Sequence, residues 1–215
     1  MNNKVLSKTF LWMFLGLLVT GIVAWYTFSS GLFLRILVSD MGWNMLLIAE
    51  IAVVLLFSFL FRKLPPTVVA ILYFVYAIIN GVTLSTIFVL FEMTSIYLCF
   101  FAAAAVFAAM AFWGYKTNAD LGRFAPMLYG LLFAGIILTI INMFLGNSTM
   151  DIVISWVVLA VFFGITAYDV QRIKQLQYTD IIPEEKLHIY GAMEIYLDFI
   201  NIFLRILTLF GKRRD

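Results

Sequence analysis

Five ionisable side chains in this sequence stand within apolar runs: Glu50, Asp169, Glu194, Asp198 and Arg205. Charge in such surroundings is costly, and it marks ion paths, proton relays or paired groups. Three of the five share one run. At helical pitch, Tyr190, Glu194, Asp198, Asn201, Arg205 and Thr208 fall within about 40° of one line. The rest of that circumference is apolar: Ile195, Leu197, Phe199, Ile200, Ile202, Phe203, Leu204 and Ile206. A polar row of this kind turns toward protein or a wet cavity, either as hydrogen-bonding glue between helices or as a path. Three ionisable residues exceed what glue requires.

Asp169 gains meaning from spacing. Pro183-Glu184 lies midway between Asp169 and Asp198, in a polar joint. A hairpin turning there would let the two aspartates meet across antiparallel helices, provided the sixth helix continues through Gln171–Tyr178, which holds no helix breaker. The plainer alternative is an interfacial Asp169 paired with Arg172 or Lys174. Two carboxylates that do meet in a low-dielectric interior cannot both ionise, so they share a proton and titrate as a unit. Protonated, the pair clasps two helices. Deprotonated, it is a set of hard oxygen ligands suited to Ca²⁺. Glu50, Glu194 and Asn201 are candidates to line the path, and Arg205, or Arg62 at the end of the second run, to supply counter-charge.

Elements long enough to hold these groups in a bilayer are present. The chain has 215 residues, 64% hydrophobic and 12% charged, with a mean hydropathy of +1.05. Soluble domains are about 45–50% apolar and about 25% charged, and a soluble globule of this composition would coat its surface with apolar side chains. A transmembrane helix needs about 20 apolar residues. Seven segments qualify: Val5–Phe28, Trp43–Phe61, Val68–Phe91, Ser95–Tyr115, Ala125–Leu145, Asp151–Val170 and Ile189–Phe210. Backbone groups in lipid must be satisfied within each span, so an all-α polytopic membrane protein follows, with residues 1–215 as a single domain. Lys4 and Lys8 before the first run imitate a signal peptide, but the run is too long and lacks a small-x-small site, so it is expected to be a retained span.

Orientation follows the Lys/Arg bias of short loops. Nine basic residues (Lys4, Lys8, Arg62, Lys63, Lys116, Arg123, Arg172, Lys174 and Lys186) fall on the N-terminal side, against four (Arg35, Lys212, Arg213 and Arg214) opposite. The N-terminus is therefore expected in the cytoplasm and the protein in the cell membrane. The basic tail opposes this, and a re-entrant last segment is the alternative to a full crossing. A net charge of +2 is too small for nucleic acid. Cys99 and His188, each the only residue of its kind, exclude thiolate or multi-histidine metal centres. Cys99 reads as a packing residue and His188 as solvated near the hairpin. Trp12, Trp25, Trp43 and Trp113 read as interfacial anchors.

At several of these positions the sequence resembles the Bax inhibitor motif family of transmembrane proteins. The residues that carry the likeness are Tyr196-Leu197-Asp198-Phe199-Ile200-Asn201-Ile202-Phe203 with Leu207 and Phe210-Gly211, and Tyr168-Asp169-Val170-Gln171-Arg172-Ile173-Lys174. Weaker echoes are Asn80-Gly81-Val82-Thr83-Leu84, Glu50, and Thr117-Asn118-Ala119-Asp120-Leu121. The resemblance implies six helices around a central seventh, with Asp169 and Asp198 as a pH-sensing dyad in a Ca²⁺ leak path. It also implies a basic latch at or beside Arg62, where Phe61 occupies the adjoining position. Eukaryotic relatives suppress cell death and lower stored calcium, and some bacterial relatives associate with membrane-protease quality control. Protons, Ca²⁺, lipid and other membrane proteins are the implied partners, with no cofactor.

Two other functions compete. Intramembrane aspartyl proteases also pair a Tyr-Asp with an aspartate on the next helix. Their second aspartate follows Gly-x-Gly, whereas Ile195-Tyr196-Leu197 precedes Asp198 here, so the expectation is no enzyme. A non-transporting scaffold would use small residues such as Ala102–Ala105, Ala108 and Ala109 to bind membrane partners, although such residues more often pack within one bundle.

Overall fold

The computed structural model describes residues 4–38, 40–179 and 181–214. Nine α-helices occupy these residues: α1 Lys4–Ser29, α2 Leu32–Val38, α3 Asp40–Leu60, α4 Pro66–Leu84, α5 Ile87–Leu90, α6 Met93–Lys116, α7 Ala125–Leu145, α8 Ser148–Leu176 and α9 Glu184–Phe210. No strand occurs among the described residues. Five stretches are long and apolar enough to cross a bilayer: Lys4–Ser29, Pro66–Leu90, Met93–Lys116, Ala125–Leu145 and Ser148–Leu176. The described apolar part of α3, Ile48–Leu60, is shorter. α9 has 27 residues, about 40 Å at 1.5 Å per residue, but its polar row keeps it outside those five. The side chain of Trp43 lies outside those described.

Local chemistry sets the helix boundaries. α4 opens on Pro66 after Pro65, where proline's missing N–H costs nothing. The expected unbroken helix from Val68 to Phe91 is instead two, α4 and α5. Ser85 Oγ donates to Val82 O at 2.6 Å and Thr86 Oγ1 to Thr83 O at 2.9 Å; such side-chain bonds to the preceding turn compete with the helical ladder. α7 ends at Gly146, whose φ of 64° supplies the left-handed cap. α8 runs to Leu176, past the apolar run as expected. Pro183-Glu184 is not the centre of the hairpin: it opens α9, with Glu184 and Glu185 in the first turn, where acidic groups complement the helix dipole. The chain therefore turns back earlier than the sequence spacing predicts.

The helices assemble into two compact units, Met1–Glu92 with Leu176–Tyr196 and Arg213–Asp215, and Met93–Gln175 with Leu197–Lys212. In the first, α1 packs on α4 through Gly81, where an added Cβ would lie 2.8 Å from Thr20 O, and Tyr73 OH donates to Trp12 O at 2.9 Å. The Trp12 ring, partly exposed, also packs against the rings of Tyr73, Phe74 and His188. In the same unit, Lys186 Nζ donates to Arg62 O at 3.0 Å, and Lys8 lies 3.9 Å from Glu184. Beyond the far end of α9, Arg214 N donates to Leu90 O at 3.0 Å and Arg213 bridges Phe91. The first residues of α9 and the tail after it thus both pack within the first unit, beside the end of α3 and the end of α5 respectively.

In the second unit α6 meets α8 at Gly114, where an added Cβ would fall 2.7 Å from the carbonyl carbon of Ala167. α7 buries only Ala125, Gly135 and Asn142, and its outer face ends on Phe144, 82% exposed. Large apolar side chains of α1 and α6 are exposed likewise, including Phe14, Ile22, Leu98 and Phe101. These surfaces suit hydrocarbon and not water. α9 is the opposite: no residue from Lys186 to Leu209 is exposed, as in a helix enclosed on all sides.

Candidate functional site

Asp169 and Asp198 are each 3% exposed, and both belong to the second unit. α8 carries Asp169 seven residues before its end, and α9 carries Asp198 fourteen residues after its start, or about 10 Å and about 21 Å along the two axes. Asp169 Oδ1 accepts a hydrogen bond from Tyr129 OH of α7 at 3.3 Å, and the ring of Tyr168 lies edge-on to that of Tyr129. Lys174, one of the two residues considered as an interfacial partner for Asp169, donates from Nζ to Tyr115 O at 2.8 Å and rests over the Tyr115 ring.

Gln171, two residues beyond Asp169, anchors the polar loop after α6. Its Oε1 accepts from Leu121 N at 2.9 Å and its Nε2 donates to Ala119 O at 2.8 Å. Both ends of one buried amide are thereby satisfied. Gln171→Ala leaves that N–H and carbonyl without their side-chain partner, at a cost of about 1–3 kcal/mol. The expected readout is faster amide exchange at Leu121 with α8 still protected; unchanged exchange would show that the loop holds itself.

Arg205 is placed away from Asp169. Its Nη1 donates to Ser155 Oγ at 3.4 Å, and Asp151, one turn earlier on α8, acts on it electrostatically. Ser155 stands fourteen residues before Asp169 on the same helix, about 21 Å away along its axis. Arg205 therefore offsets Asp151 near the start of α8. Asn201 donates to Leu197 O at 2.8 Å within its own helix. Near the same end of this unit, a cavity of about 460 Å³ is lined by Cys99, Trp156, Phe163, Ile206 and Phe210 among others. Its walls are apolar, and Cys99 is buried there as a packing residue.

The first unit holds the other candidates. Glu50 Oε1 accepts from Asn80 Nδ2 at 3.2 Å. Asn80 Oδ1 accepts from Tyr196 OH at 3.1 Å. Tyr196 OH and Thr20 Oγ1 are 2.7 Å apart, and Thr20 Oγ1 reaches Ala77 O at 3.0 Å. Four helices, α1, α3, α4 and α9, contribute to this chain of polar contacts. The sequence offers Asn80 and Tyr196 only as motif residues, and nothing in it signals Thr20, because a threonine in an apolar run usually bonds its own helix. Glu194 accepts from Tyr190 OH one turn earlier, and the Tyr190 ring stacks on Phe61 at 4.5 Å. The Arg62 side chain is exposed, with its guanidinium beside the Phe61 ring. Among the described residues no group of three or more His, Cys, Asp or Glu is placed to hold a metal ion.

An all-α protein with several membrane spans, an enclosed last helix and buried acidic groups on its final two helices is the class that the fold and site define. The family model described as "Inhibitor of apoptosis-promoting Bax1" matches residues 2–215. Inner membrane protein YbhL of Escherichia coli (strain K12) is 35% identical over 214 residues, covering 97% of this chain and 92% of its own. A protein of Rickettsia prowazekii is 34% identical over 219 residues, covering 99% and 91%, and one of Borreliella burgdorferi is 32% identical over 218 residues, covering 100% and 94%. The chain belongs to the Bax inhibitor family of membrane proteins.

Proposed function

We propose that this protein is a pH-regulated Ca²⁺ leak in which Asp169 and Asp198 share the gating proton. The observation that carries the reading is the burial of both carboxylates, 3% exposed each, on α8 and α9 within one unit. A carboxylate so enclosed is costly when charged and unpaired, and two of them lower that cost by holding one proton between them. Protonated, they clasp α8 to α9. Deprotonated, they repel and offer oxygen ligands to Ca²⁺. Glu50, Glu194 and Asn201 line the route on this reading, and Arg62 supplies the basic latch. The bundle has seven spans, counting α3 and α9, with α9 at its centre. The N-terminus lies in the cytoplasm and the protein in the inner membrane, where YbhL is named. The role is non-enzymatic.

The test is Ca²⁺ entry into liposomes holding the purified protein. Entry rises along a sigmoid as pH increases between about 5 and 8. A rate indifferent to pH across that range would count against gating.

A scaffold for other membrane proteins is the second reading. It is favoured by Ala102, Ala105, Ala108 and Ala109, exposed on α6, since small residues let helices approach closely. Ca²⁺ entry no faster than through empty liposomes at every pH, with Ala105→Cys cross-linking to a second membrane protein, would favour it over the leak.

A further inference from the structure

The polar chain from Glu50 to Ala77 is one hydrogen short. It contains four contacts: Glu50 to Asn80, Asn80 to Tyr196, Tyr196 to Thr20, and Thr20 to Ala77 O. With Glu50 ionised, three donors serve them. Asn80 supplies one N–H toward Glu50. The phenol of Tyr196 has a single hydrogen, given to Asn80 Oδ1, and Thr20 has a single hydrogen. At 2.7 Å from Tyr196 OH, Thr20 must place that hydrogen between the two oxygens, and the contact with Ala77 O is left without one.

A proton on Glu50 completes the set. If the Asn80 amide makes a half-turn, Glu50 donates to Asn80 Oδ1 and Asn80 Nδ2 to Tyr196 OH. Tyr196 then donates to Thr20 Oγ1 and Thr20 to Ala77 O. Every contact carries a hydrogen, and every donor points the same way along the wire. The two arrangements use the same heavy-atom positions and differ by one proton, one amide half-turn and two hydroxyl rotations. Thr83 also hydrogen-bonds Glu50, and the phenol of Tyr76 hydrogen-bonds Asn80; since a phenol both donates and accepts, it can meet either end of the turned amide by rotating its own hydrogen. Among the described residues the titratable groups acting electrostatically with Glu50 are the phenols of Tyr76 on α4 and Tyr196 on α9.

We infer that the first unit contains a proton-binding site of its own, in which protonation of Glu50 turns over the Asn80 amide and reverses the direction of the hydrogen-bond wire through Tyr196 and Thr20 to Ala77. The proton adds to a Glu50 carboxylate oxygen, and no other bond to hydrogen breaks. All the residues involved lie in the first unit, so the site is independent of the aspartate pair and does not rest on the leak function. It gives the protein a second response to pH, borne by α1, α3, α4 and the first half of α9.

The test is infrared spectroscopy of the full chain in nanodiscs, in an Asp169→Asn/Asp198→Asn background that removes the other carboxyl pair. A protonated-carboxyl band should appear as pH falls and vanish on Glu50→Gln. Thr20→Val abolishes the terminal donor and with it the advantage of the completed wire, so the band's midpoint should move by about one pH unit toward the ionised form. Thr20→Ser, which keeps the hydroxyl, should restore the parental midpoint, and Thr139→Val on α7 should leave it alone. No Glu50-dependent band between about pH 4 and about pH 10, or the same midpoint in Thr20→Val as in its parent, would overturn the inference.

Discussion

Replacing Asp169 and Asp198 together by asparagine flattens the pH dependence of Ca²⁺ entry into liposomes. Asparagine keeps the size and much of the hydrogen-bonding capacity of a carboxyl group but does not titrate. On the proposed reading, the shared proton and the repulsion that follows its loss disappear together. Control by one shared proton limits the slope of the parental curve to about tenfold per pH unit, and the double variant loses that slope. Either single replacement leaves one carboxyl that no longer has a like charge to divide a proton with, so its curve shifts and flattens in part. Tyr129→Phe, which deletes the hydrogen bond to Asp169 Oδ1, moves the midpoint without abolishing the response. A double variant whose curve overlays the parent's would remove the pair from the mechanism.

Gly114→Ala destabilises the protein more than its size suggests. The new methyl group would sit within contact distance of Ala167, 2.7 Å from the carbonyl carbon and 2.8 Å from Cα. Both obstacles are backbone inside α8, so no side-chain rotation relieves them, and α6 and α8 must separate. Overpacking of this kind costs about 1–3 kcal/mol, and the loss falls two residues from Asp169. The expected result is a lower unfolding midpoint in detergent and a weakened pH response. Gly21→Ala on α1, where nothing lies within 4 Å of the added Cβ, is the matched control. Equal midpoints for the two variants would show that α6 and α8 do not depend on this close approach.

Much of the fold is legible in the sequence because lipid imposes a simple rule: about 20 apolar residues must form one helix. The runs at Val5–Phe28, Ser95–Tyr115 and Ala125–Leu145 correspond to α1, α6 and α7 within a few residues. Where the readings part, a hydrogen bond or a cap decides. Ser85 and Thr86 break the third run because their hydroxyls bond the preceding turn. Pro183-Glu184 reads as a turn from composition, yet it begins α9, because proline and acidic residues suit a helix start as well as a loop. The tail was ambiguous from charge alone. Its docking on Leu90 and Phe91 is an interaction between distant parts of the chain that no loop count anticipates.

By itself the sequence determined that this chain is helical, that it belongs in a bilayer, and that Glu50, Asp169, Glu194, Asp198 and Arg205 are the costly groups needing partners. Those conclusions depend on composition and on spacing along one helix, both of which are local. Only the tertiary structure decided which partners they have. It gave Asp169 the phenol of Tyr129, sent Arg205 to Ser155 and Asp151, joined Gln171 to the loop before α7, and drew Thr20, Asn80 and Tyr196 into one chain with Glu50. The physical reason is that a helix fixes the angle of each side chain about its own axis, whereas a hydrogen bond between helices depends on their depth and rotation relative to each other. Packing of whole surfaces sets those quantities, as at Gly81 and Gly114, and no single run of residues encodes them.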